Sequence, residues 1–460
     1  MKYAFLDLFC GAGGTSTGIE NIPNAFVFGC VNHDKNAILS HQSNHPGALH
    51  FTEDIRTISI NKILDKVNEV RKQYPGIKIC LWASLECTNH SNAKGGMSRE
   101  ADSRTLAEHL FRYFSLNFDL IFIENVKEFK EWGPLVHKHI AGVPQYEKNT
   151  DKPIMIPDKK HKGVDYNNWI KNVCESGYTY EDSIINCADI GCPTTRKRLF
   201  IQFAKPSSKI CWPDKTHSKN GENGFKEWLP VAPLLQLEDH GKSIFDRAKA
   251  LAPNTYKRLF KGVKKFGIDT FISKYYGNGD NVCDINQPCP TLTTKDRCYL
   301  TKTFLVSEYG KSTCSDIQKP APTLTTIPKE KVVTSHFLMD HQFSNEGNPI
   351  SQPCPTLIAR QDKKPKYLVS SEFSNTFVNR SVIQEGDCEE VVNLKMLMQE
   401  NGIYDIKMRP LHISEMLKIM TFPDEYILKG TKTEQKKYIG NSVPPLAAEK
   451  IVKSSMMMNK

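Results

Sequence analysis

The sequence predicts an α/β fold in which a parallel sheet is followed by a second, β-rich domain. Three observations favour this fold class. Short apolar runs near the N-terminus have the composition of fully buried parallel strands. Glycines or polar residues follow these runs at once. The middle of the chain carries a 33-residue repeat with β-branched residues and Pro/Gly turns.

The first apolar run, residues 3–9, predicts a strand that leads into a glycine-rich turn. Gly11, Gly13 and Gly14 allow a tight turn and a close approach of the backbone to a ligand. The lysine of a phosphate-binding P-loop does not follow Gly14, and the third glycine of a dinucleotide fingerprint is absent. The turn therefore favours a nucleotide without a pyrophosphate.

The next apolar run, residues 26–31, predicts a second strand. Asn32 and Asp34 follow it, roughly 20 residues beyond the turn, where α/β folds place a group that hydrogen-bonds ribose hydroxyls. Asp54 and Ile55 are predicted to close a third strand and to hold an adenine. These residues complete a candidate nucleotide site.

Cys87 is the candidate nucleophile. It follows an apolar run that begins at Lys78 and precedes a polar, glycine-containing stretch, residues 88–104. A helix is then predicted, with Leu106, Leu110 and Phe114 on one face behind a capping Asp102. Cys87 would thus lie at the carboxyl end of a strand beneath a movable loop, where open α/β sheets place their chemistry. The alternative is that Cys87 is a small buried apolar residue, as a cysteine in a chain with 14 of them usually is.

Glu124 is the candidate acid. Residues 118–123 predict another buried strand, and Glu124 caps it. A carboxylic acid in such apolar surroundings suits proton donation near neutral pH. The alternative is an ordinary strand-end carboxylate in water.

Composition favours a polyanionic partner and a reduced, cytoplasmic protein. The chain has 61 basic and 51 acidic residues and a formal charge of +10, although many soluble proteins carry a similar excess. No segment has the length of a membrane helix, and no signal segment precedes the first strand. The cysteines form no Cys-x-x-Cys pair, so reduced thiols are expected rather than disulfides or a metal site.

The internal repeat has three units. They start at Phe271, Phe304 and Phe337 and predict small β units. Each unit contains a Thr-Leu pair; the pairs are Thr291 and Leu292, Thr323 and Leu324, and Thr356 and Leu357.

With these residues in place, the chain resembles the DNA cytosine-5 methyltransferases. The matching segments follow the family order: Asp7–Gly14, Ser84–Thr88, Asp102–Leu106, Glu124–Val126, Gly191–Arg198, Arg409–Glu415 with Phe422–Asp424, and Gly440–Pro445. Some positions depart from the family pattern. Glu86 stands where proline is usual, Thr88 and Thr194 replace glutamines, and Asn32 lies near the usual ribose-binding acid.

The resemblance implies a Rossmann-like, S-adenosylmethionine-dependent methyltransferase sheet with a second, β-rich target-recognition domain. It implies a catalytic domain over residues 1–204, a recognition domain over 205–405, and a C-terminal segment, 406–460, that returns to the catalytic domain. The implied cofactor-binding residues are Phe9, Gly11, Gly13, Gly14, Asn32, Asp34, Asp54, Ile55, Asn441 and Ser442.

The resemblance also implies covalent catalysis. The Cys87 thiolate would add to carbon 6 of cytosine, so that carbon 5 becomes an enamine carbon able to accept a methyl group from S-adenosylmethionine. Glu124 would hydrogen-bond or protonate ring nitrogen 3, Arg198 would hold the exocyclic oxygen, and Arg196 would support the loop or phosphates. The target cytosine must first be flipped out of duplex DNA.

Several alternatives stay open at this stage. An RNA cytosine-5 methyltransferase acting on transfer RNA and a catalytically inactive DNA-binding relative both remain, although the large variable region favours duplex DNA. The Thr-Leu pairs either read base edges in the major groove or only scaffold their domain. A monomer is expected, and a cognate restriction endonuclease is an open partner.

Overall fold

The computed structural model describes the chain apart from residues 1, 86–105, 147–150, 152, 237–238, 240–241, 401–402, 404 and 460. Between residues 267 and 379 it describes only the backbone of the strands given below.

Residues 3–204 contain the first group of strands and helices. The strands are β1 Tyr3–Leu8, β2 Ala25–Val31, β3 Leu49–Phe51, β4 Lys78–Ser84, β5 Leu120–Asn125, β6 Leu135–His137, β7 His139–Ile140, β8 Val143–Pro144, β9 Met155–Pro157, β10 Thr179–Asn186, β11 Thr194–Thr195 and β12 Lys197–Ala204. The α-helices are α1 Gly14–Glu20, α2 Lys35–Asn44, α3 Ile60–Gln73 and α4 Val164–Glu175. The 3₁₀ helices are Glu108–Leu116, Lys127–Glu131 and Cys187–Ile190.

The remainder of the chain adds a second group of elements. The strands are β13 His217–Ser218, β14 Lys226–Glu227, β15 Lys242–Ser243, β16 Phe271–Lys274, β17 Val282–Asp284, β18 Cys289–Pro290, β19 Cys298–Tyr299, β20 Thr301–Ser307, β21 Thr313–Ser315, β22 Glu330–Met339, β23 Asn348–Pro349, β24 Tyr367–Glu372 and β25 Asp405–Arg409. The α-helices are α5 Pro253–Phe266, α6 Glu389–Glu400, α7 Ile413–Ile419, α8 Lys432–Asn441 and α9 Pro445–Met458, and short 3₁₀ helices span Glu222–Gly224 and Ala232–Leu234. None of the described helices combines enough length and apolar character to span a membrane.

The central sheet has seven strands in the order β10-β12-β5-β4-β1-β2-β3. Strands β1 to β5 are mutually parallel, and β12 runs antiparallel to both of its neighbours. The carboxyl ends of β1 to β5 therefore meet at one edge. Because β12 is reversed, its first residues lie at this same edge.

The central sheet is covered on both faces, which explains the uninterrupted apolar runs of its strands. Ala4 and Leu6 of β1 belong to a core that includes residues of α3 and α4. Tyr3 and Phe5 point to the opposite face and pack in a second core with residues of α9. The C-terminal helix α9 also packs against α1. Segments from both ends of the chain thus build one layered domain.

A second, antiparallel sheet follows. Its strand order is β15-β25-β24-β22-β20-β21, with β23 beside β22, while β16 lies between β17 and β19 in a separate three-stranded sheet. The three predicted repeat starts fall in β16, β20 and β22, so the prediction of β units is confirmed at the backbone level. The expected boundary between residues 405 and 406 lies inside β25, which pairs with strands of the second sheet on both sides.

Two predictions about these elements were wrong in detail. Strand β5 runs from Leu120 to Asn125, so Glu124 lies within the strand instead of capping it. The predicted α-helix behind Leu106 is a 3₁₀ helix, whose buried residues Leu110, Tyr113 and Leu116 recur every third position, as the 3₁₀ period requires. Its expected capping residue, Asp102, lies outside the described part of the chain.

Asp54 and Ile55 do not close the third strand, which ends at Phe51. The Asp54 carboxylate accepts a hydrogen bond from the backbone N–H of Arg56 at 2.9 Å, and its carbonyl accepts one from the N–H of Ile58 at 2.9 Å. Such local side-chain and backbone hydrogen bonds stabilise a turn in competition with strand pairing.

Candidate active site

Glu124 and Arg198 form an ion pair at the carboxyl edge of the central sheet. Strand register places Glu124 beside Ser84 at the end of β4 and beside Phe200 on β12. The Arg198 Nε atom lies 3.1 Å from Glu124 Oε1. Glu124 is buried, and the Arg198 side chain is mostly buried. Since a buried carboxylate is costly without a partner, this guanidinium compensates its charge.

Arg196 adds a second guanidinium to the same carboxylate. Its Nη2 atom lies 3.9 Å from Glu124 Oε1, and its side chain is only 2% exposed. Arg196 also donates hydrogen bonds to the backbone carbonyls of Gly440 at 3.0 Å and Asn441 at 3.4 Å. The arginine therefore lies in the interior, where it joins the central sheet to the end of α8, and its guanidinium is not at a surface that phosphates reach.

The glycine-rich turn after β1 has the strained backbone that glycine tolerates. Phe9, Gly11 and Gly13 have φ angles of 58°, 54° and 105°. A Cβ atom added to Gly11 would meet no heavy atom closer than the Phe9 carbonyl oxygen at 4.0 Å. Gly11 therefore borders open space, as a position next to a ligand requires.

Gly13 and Gly14 are instead close to the protein's own C-terminal segment. An added Cβ would lie 2.5 Å from the Tyr426 hydroxyl at Gly13, and 2.0 Å from Ser442 Oγ at Gly14. Tyr426 also donates a hydrogen bond to the carbonyl of Ala12 at 2.6 Å. The sequence analysis missed Tyr426, although it lies only two residues beyond the Phe422–Asp424 segment. These contacts show that the turn is shaped by tertiary packing.

The predicted ribose-binding residues, Asn32 and Asp34, differ in how many hydrogen bonds their side chains already make within the protein. Asp34 caps α2 by accepting hydrogen bonds from the N–H groups of Asn36 and Ala37, and it accepts another from the Tyr438 hydroxyl at 2.9 Å. Asn32 uses its Oδ1 atom to accept a hydrogen bond from the Asp34 N–H at 2.9 Å. Its amide nitrogen has no hydrogen-bond partner among the described residues, so this donor at the end of β2 is unpaired there.

The third predicted cofactor segment is tied to its surroundings. Arg56 forms a short ion pair with Asp54 in which two guanidinium nitrogens donate to the carboxylate, and these hydrogen bonds lower the pKa of Asp54 to about 2. The backbone carbonyl of Ile55 accepts hydrogen bonds from Arg112 and from the Tyr113 hydroxyl, each at 2.7 Å. The 3₁₀ helix thereby fixes the loop that follows β3.

Asp7, the second-last residue of strand β1, is a further buried acid that the sequence analysis did not single out. The Ser16 hydroxyl of α1 donates a hydrogen bond to it at 2.8 Å. Desolvation by burial raises the pKa of Asp7 well above its usual range, and the Ser16 hydrogen bond opposes that rise. An acid at this position in a buried strand is the signal that could have identified it.

The remaining predicted site residues lie outside the described part of the chain. They are Cys87 and the Thr-Leu pairs, namely Thr291, Leu292, Thr323, Leu324, Thr356 and Leu357. In the described part, the cysteines are all free thiols.

The motif-like segment from Arg409 to Glu415 has a structural role. Arg409 donates hydrogen bonds to both carboxylate oxygens of Glu415, at 3.0 and 2.8 Å, and both side chains are buried. Glu415 also accepts a hydrogen bond from the His412 N–H at 2.7 Å, which caps α7. This ion pair joins the last strand of the second sheet to the helices that return to the central sheet.

A mostly parallel sheet, a glycine turn at its carboxyl edge and a buried carboxylate paired with arginine define an α/β protein with the Rossmann-like methyltransferase fold. The sequence profile of the family described as C-5 cytosine-specific DNA methylase matches residues 3–133 and 157–456. The chain belongs to this family. Its membership implies a methyl donor.

Individual relatives agree with this membership. The type II methyltransferase M.AgeI of Thalassovita gelatinovora is 20% identical over 484 residues, which cover 96% of each chain. A DNA-cytosine methyltransferase of Escherichia coli strain K12 is 39% identical over 62 residues, 13% of each chain. Among solved structures, the Entamoeba histolytica methyltransferase EhMeth aligns over 100% of this chain and 99% of its own, with 12% identity and a TM-score of 0.50. At this identity the last similarity shows the fold alone.

Proposed function

We propose that the protein transfers a methyl group from S-adenosylmethionine to carbon 5 of a cytosine flipped out of a specific duplex DNA sequence, through a covalent bond to Cys87. The observation that carries this proposal is the buried pair of Glu124 and Arg198 at the carboxyl edge of the sheet. Strand register places Glu124 beside Ser84, and Cys87 follows Ser84 by three positions in the sequence.

The chemistry needs a nucleophile because carbon 5 of cytosine is too weakly nucleophilic on its own. Addition of the Cys87 thiolate to carbon 6 forms a carbon–sulfur bond and moves electron density into the ring, towards carbon 5 and nitrogen 3. After methylation, loss of the carbon 5 proton and expulsion of the thiolate restore the aromatic ring. A duplex hides both faces of the base in the stack, so the base must leave it first.

The charges around Glu124 suit the electron flow of this addition. One carboxylate lies within 3.9 Å of two guanidinium groups, those of Arg196 and Arg198, so the cluster carries one excess positive charge. During the addition Glu124 would carry a proton and donate it to nitrogen 3 of the cytosine, while Arg198 donates to the exocyclic oxygen, and both contacts strengthen as the ring becomes electron-rich. Arg196 would act by holding the C-terminal segment in place.

The described residues at this edge fit an adenosine-type cofactor that supplies the methyl group. Gly11 borders open space, and the amide nitrogen of Asn32 is available to donate to a ribose hydroxyl oxygen. Asp34 is engaged in capping α2, so we assign the ribose contact to Asn32 before Asp34. Ser442 packs against the turn from the C-terminal side and would keep it in its binding conformation.

The proposed substrate is double-stranded DNA. The formal charge of +10 favours a polyanion, and the second, β-rich sheet lies mainly between the motif-like segments that end at Arg198 and begin at Arg409. We assign target recognition to this region and to its three Thr-Leu pairs. Because curated relatives are named type II methyltransferases, a cognate restriction endonuclease is the partner that we propose.

Trapping with 5-fluorocytosine tests the covalent step. Fluorine does not leave carbon 5 as a proton does, so duplex DNA with 5-fluorocytosine at the target should remain bonded to the protein after methyl transfer. The adduct should withstand denaturing electrophoresis and map to Cys87. Cys87→Ser should abolish it, because an alcohol is a far poorer nucleophile. Cys388→Ser, which changes an exposed thiol, is the matched control and should leave the adduct intact.

The trapping assay also tests the acid, and a comparison of methyl transfer into two nucleic acids tests the substrate class. Glu124→Gln should slow adduct formation by a factor on the order of 10²–10⁴ while DNA binding persists. Methyl transfer into duplex DNA should greatly exceed transfer into transfer RNA. An adduct at another cysteine, or a preference for transfer RNA, would contradict the proposal.

A further inference from the structure

Two thiols and an imidazole converge behind the glycine-rich turn, outside the groups that the proposed reaction uses. The Cys10 and Cys30 sulfur atoms and a ring nitrogen of His41 all lie within 4.8 Å of one another, and all three residues are buried. A second imidazole, from His50, is adjacent, with its Nε2 atom 2.9 Å from His41 Nδ1.

Strand register explains this convergence. Cys30 on β2 lies directly beside His50 on β3, so the two side chains point to the same face of the sheet. Cys10 follows β1 and packs with Cys30 and Ile38 in a small cluster under α2. His41 lies on α2 and reaches the Cys30 sulfur atom at 3.6 Å from its Nδ1 atom. Four chain segments thus direct one side chain each towards a single point.

Hydrogen bonding around His41 leaves its inner nitrogen able to bind a metal. His41 Nε2 lies 2.9 Å from Ser16 Oγ, and Ser16 donates its own proton to Asp7. Ser16 must therefore accept a hydrogen bond from His41, so Nε2 carries the ring proton and Nδ1 presents a lone pair to the thiol cluster. A histidine whose outer N–H is fixed through a hydroxyl to a carboxylate is the arrangement found around metal-bound imidazoles.

We propose that Cys10, Cys30, His41 and His50 form a structural zinc site. Thiolates with imidazoles in a tetrahedral arrangement are the preferred ligands of Zn²⁺. Metal–ligand bonds of about 2.3 Å for sulfur and 2.0–2.1 Å for nitrogen place tetrahedral ligand atoms roughly 3.3–3.8 Å apart. The distance of 3.6 Å between Cys30 and His41 falls in that interval, and His50 need shift by only a few tenths of an ångström.

The site would fix the glycine turn. Cys10 lies between Phe9 and Gly11, whose backbone φ angles are both positive, and a metal bond at Cys10 would hold this conformation. The proposal departs from the expectation of no metal site, which rested on the absence of a Cys-x-x-Cys pair. Here the ligands come from the turn after β1, from β2 and β3, and from α2, so no short sequence motif reveals them.

The test measures metal in the full-length protein. Protein purified without chelator should contain about one zinc ion per chain, and after removal of zinc it should bind Co²⁺ with thiolate-to-cobalt charge-transfer bands and tetrahedral visible bands. Cys30→Ala and His41→Gln should lose both signals. Cys80→Ala is the matched control, because Cys80 is an equally buried thiol of β4 outside the cluster, and it should keep them.

His50→Asn provides a variant that changes a half-buried edge residue, so it tests the site if the core variants do not fold. It should weaken cobalt binding and alter the visible bands, while its circular dichroism stays that of the parent protein. Full-length protein that holds no zinc and gives no cobalt bands would overturn the proposal. So would bands that persist in Cys30→Ala, or a Cys10–Cys30 disulfide found by mass spectrometry in the protein as purified, before any metal is removed.

Discussion

Replacing Arg196 by methionine should detach the C-terminal segment from the central sheet. The guanidinium makes a 3.0 Å hydrogen bond to the Gly440 carbonyl and a longer one to Asn441, and it lies 3.9 Å from the Glu124 carboxylate. Methionine has a similar length and no charge. All three interactions would be lost in a buried environment.

The expected loss of stability follows from these contacts. A hydrogen bond from a charged donor contributes about 1.5–3 kcal/mol, and removing one partner of a buried ion pair costs about 3–5 kcal/mol. Glu124 keeps Arg198 at 3.1 Å, so the lower end applies. We expect the free energy of unfolding to fall by about 3 kcal/mol. Cofactor binding should weaken too, because Ser442 follows the released carbonyls and packs against Gly14.

Urea unfolding followed by tryptophan fluorescence measures this loss, since all five tryptophans lie between residues 82 and 228. Isothermal titration with S-adenosylmethionine gives the affinity. Arg71→Met is the matched control, because Arg71 also donates to two carbonyls, those of Leu116 and Asn117, but at a partly exposed surface and with no ion pair to any described residue. It should cost only about 0.5–1 kcal/mol. Equal losses in the two variants would refute the anchoring role of Arg196.

Three further predictions follow from other parts of the molecule. S-adenosylmethionine should raise the melting temperature of the parent protein by mass action, whereas Gly13→Val should reduce this rise, because its side chain would meet the Tyr426 hydroxyl at a φ of 105°; an unchanged rise in the variant would contradict it. Burial raises the pKa of Asp405 to about 6, so its stabilising contribution is complete below pH 4, the range of a free aspartate, and is lost as the pH rises through 6. Asp405→Asn should therefore stabilise the protein at pH 8, by on the order of 2 kcal/mol, and not at pH 4, as thermal unfolding at both pH values would show. Changing any one of the three Thr-Leu pairs to Ala-Ala should relax the specificity for the target sequence, and where a base contact is lost the binding free energy should weaken by roughly 1–3 kcal/mol. Sequencing of methylated DNA measures the specificity, and unaltered specificity in all three variants would favour the scaffold role.

The elements that could be predicted are those whose signal is local. The apolar runs at residues 3–9 and 26–31 became β1 and β2 with bounds shifted by one residue, because burial on both faces demands continuous apolar sequence. Phe271, Phe304 and Phe337, the predicted starts of the three repeat units, also lie in strands, although β20 begins at Thr301 and β22 at Glu330. Errors arose where side chains compete with strand pairing, as Asp54 does through its own turn.

The sequence by itself determined the class of fold, the presence of a glycine turn directly after β1, and the placement of Glu124 near the end of a buried strand. Each of these depends on residue type and near neighbours along the chain. Only the tertiary structure decided which groups meet. Arg196 reaches carbonyls 244 and 245 residues away, Tyr426 contacts the turn at Ala12, and Cys10, Cys30 and His41 converge. Such contacts depend on strand order and register, which arise from the packing of the whole chain. They therefore produce no recognisable residue spacing in the sequence.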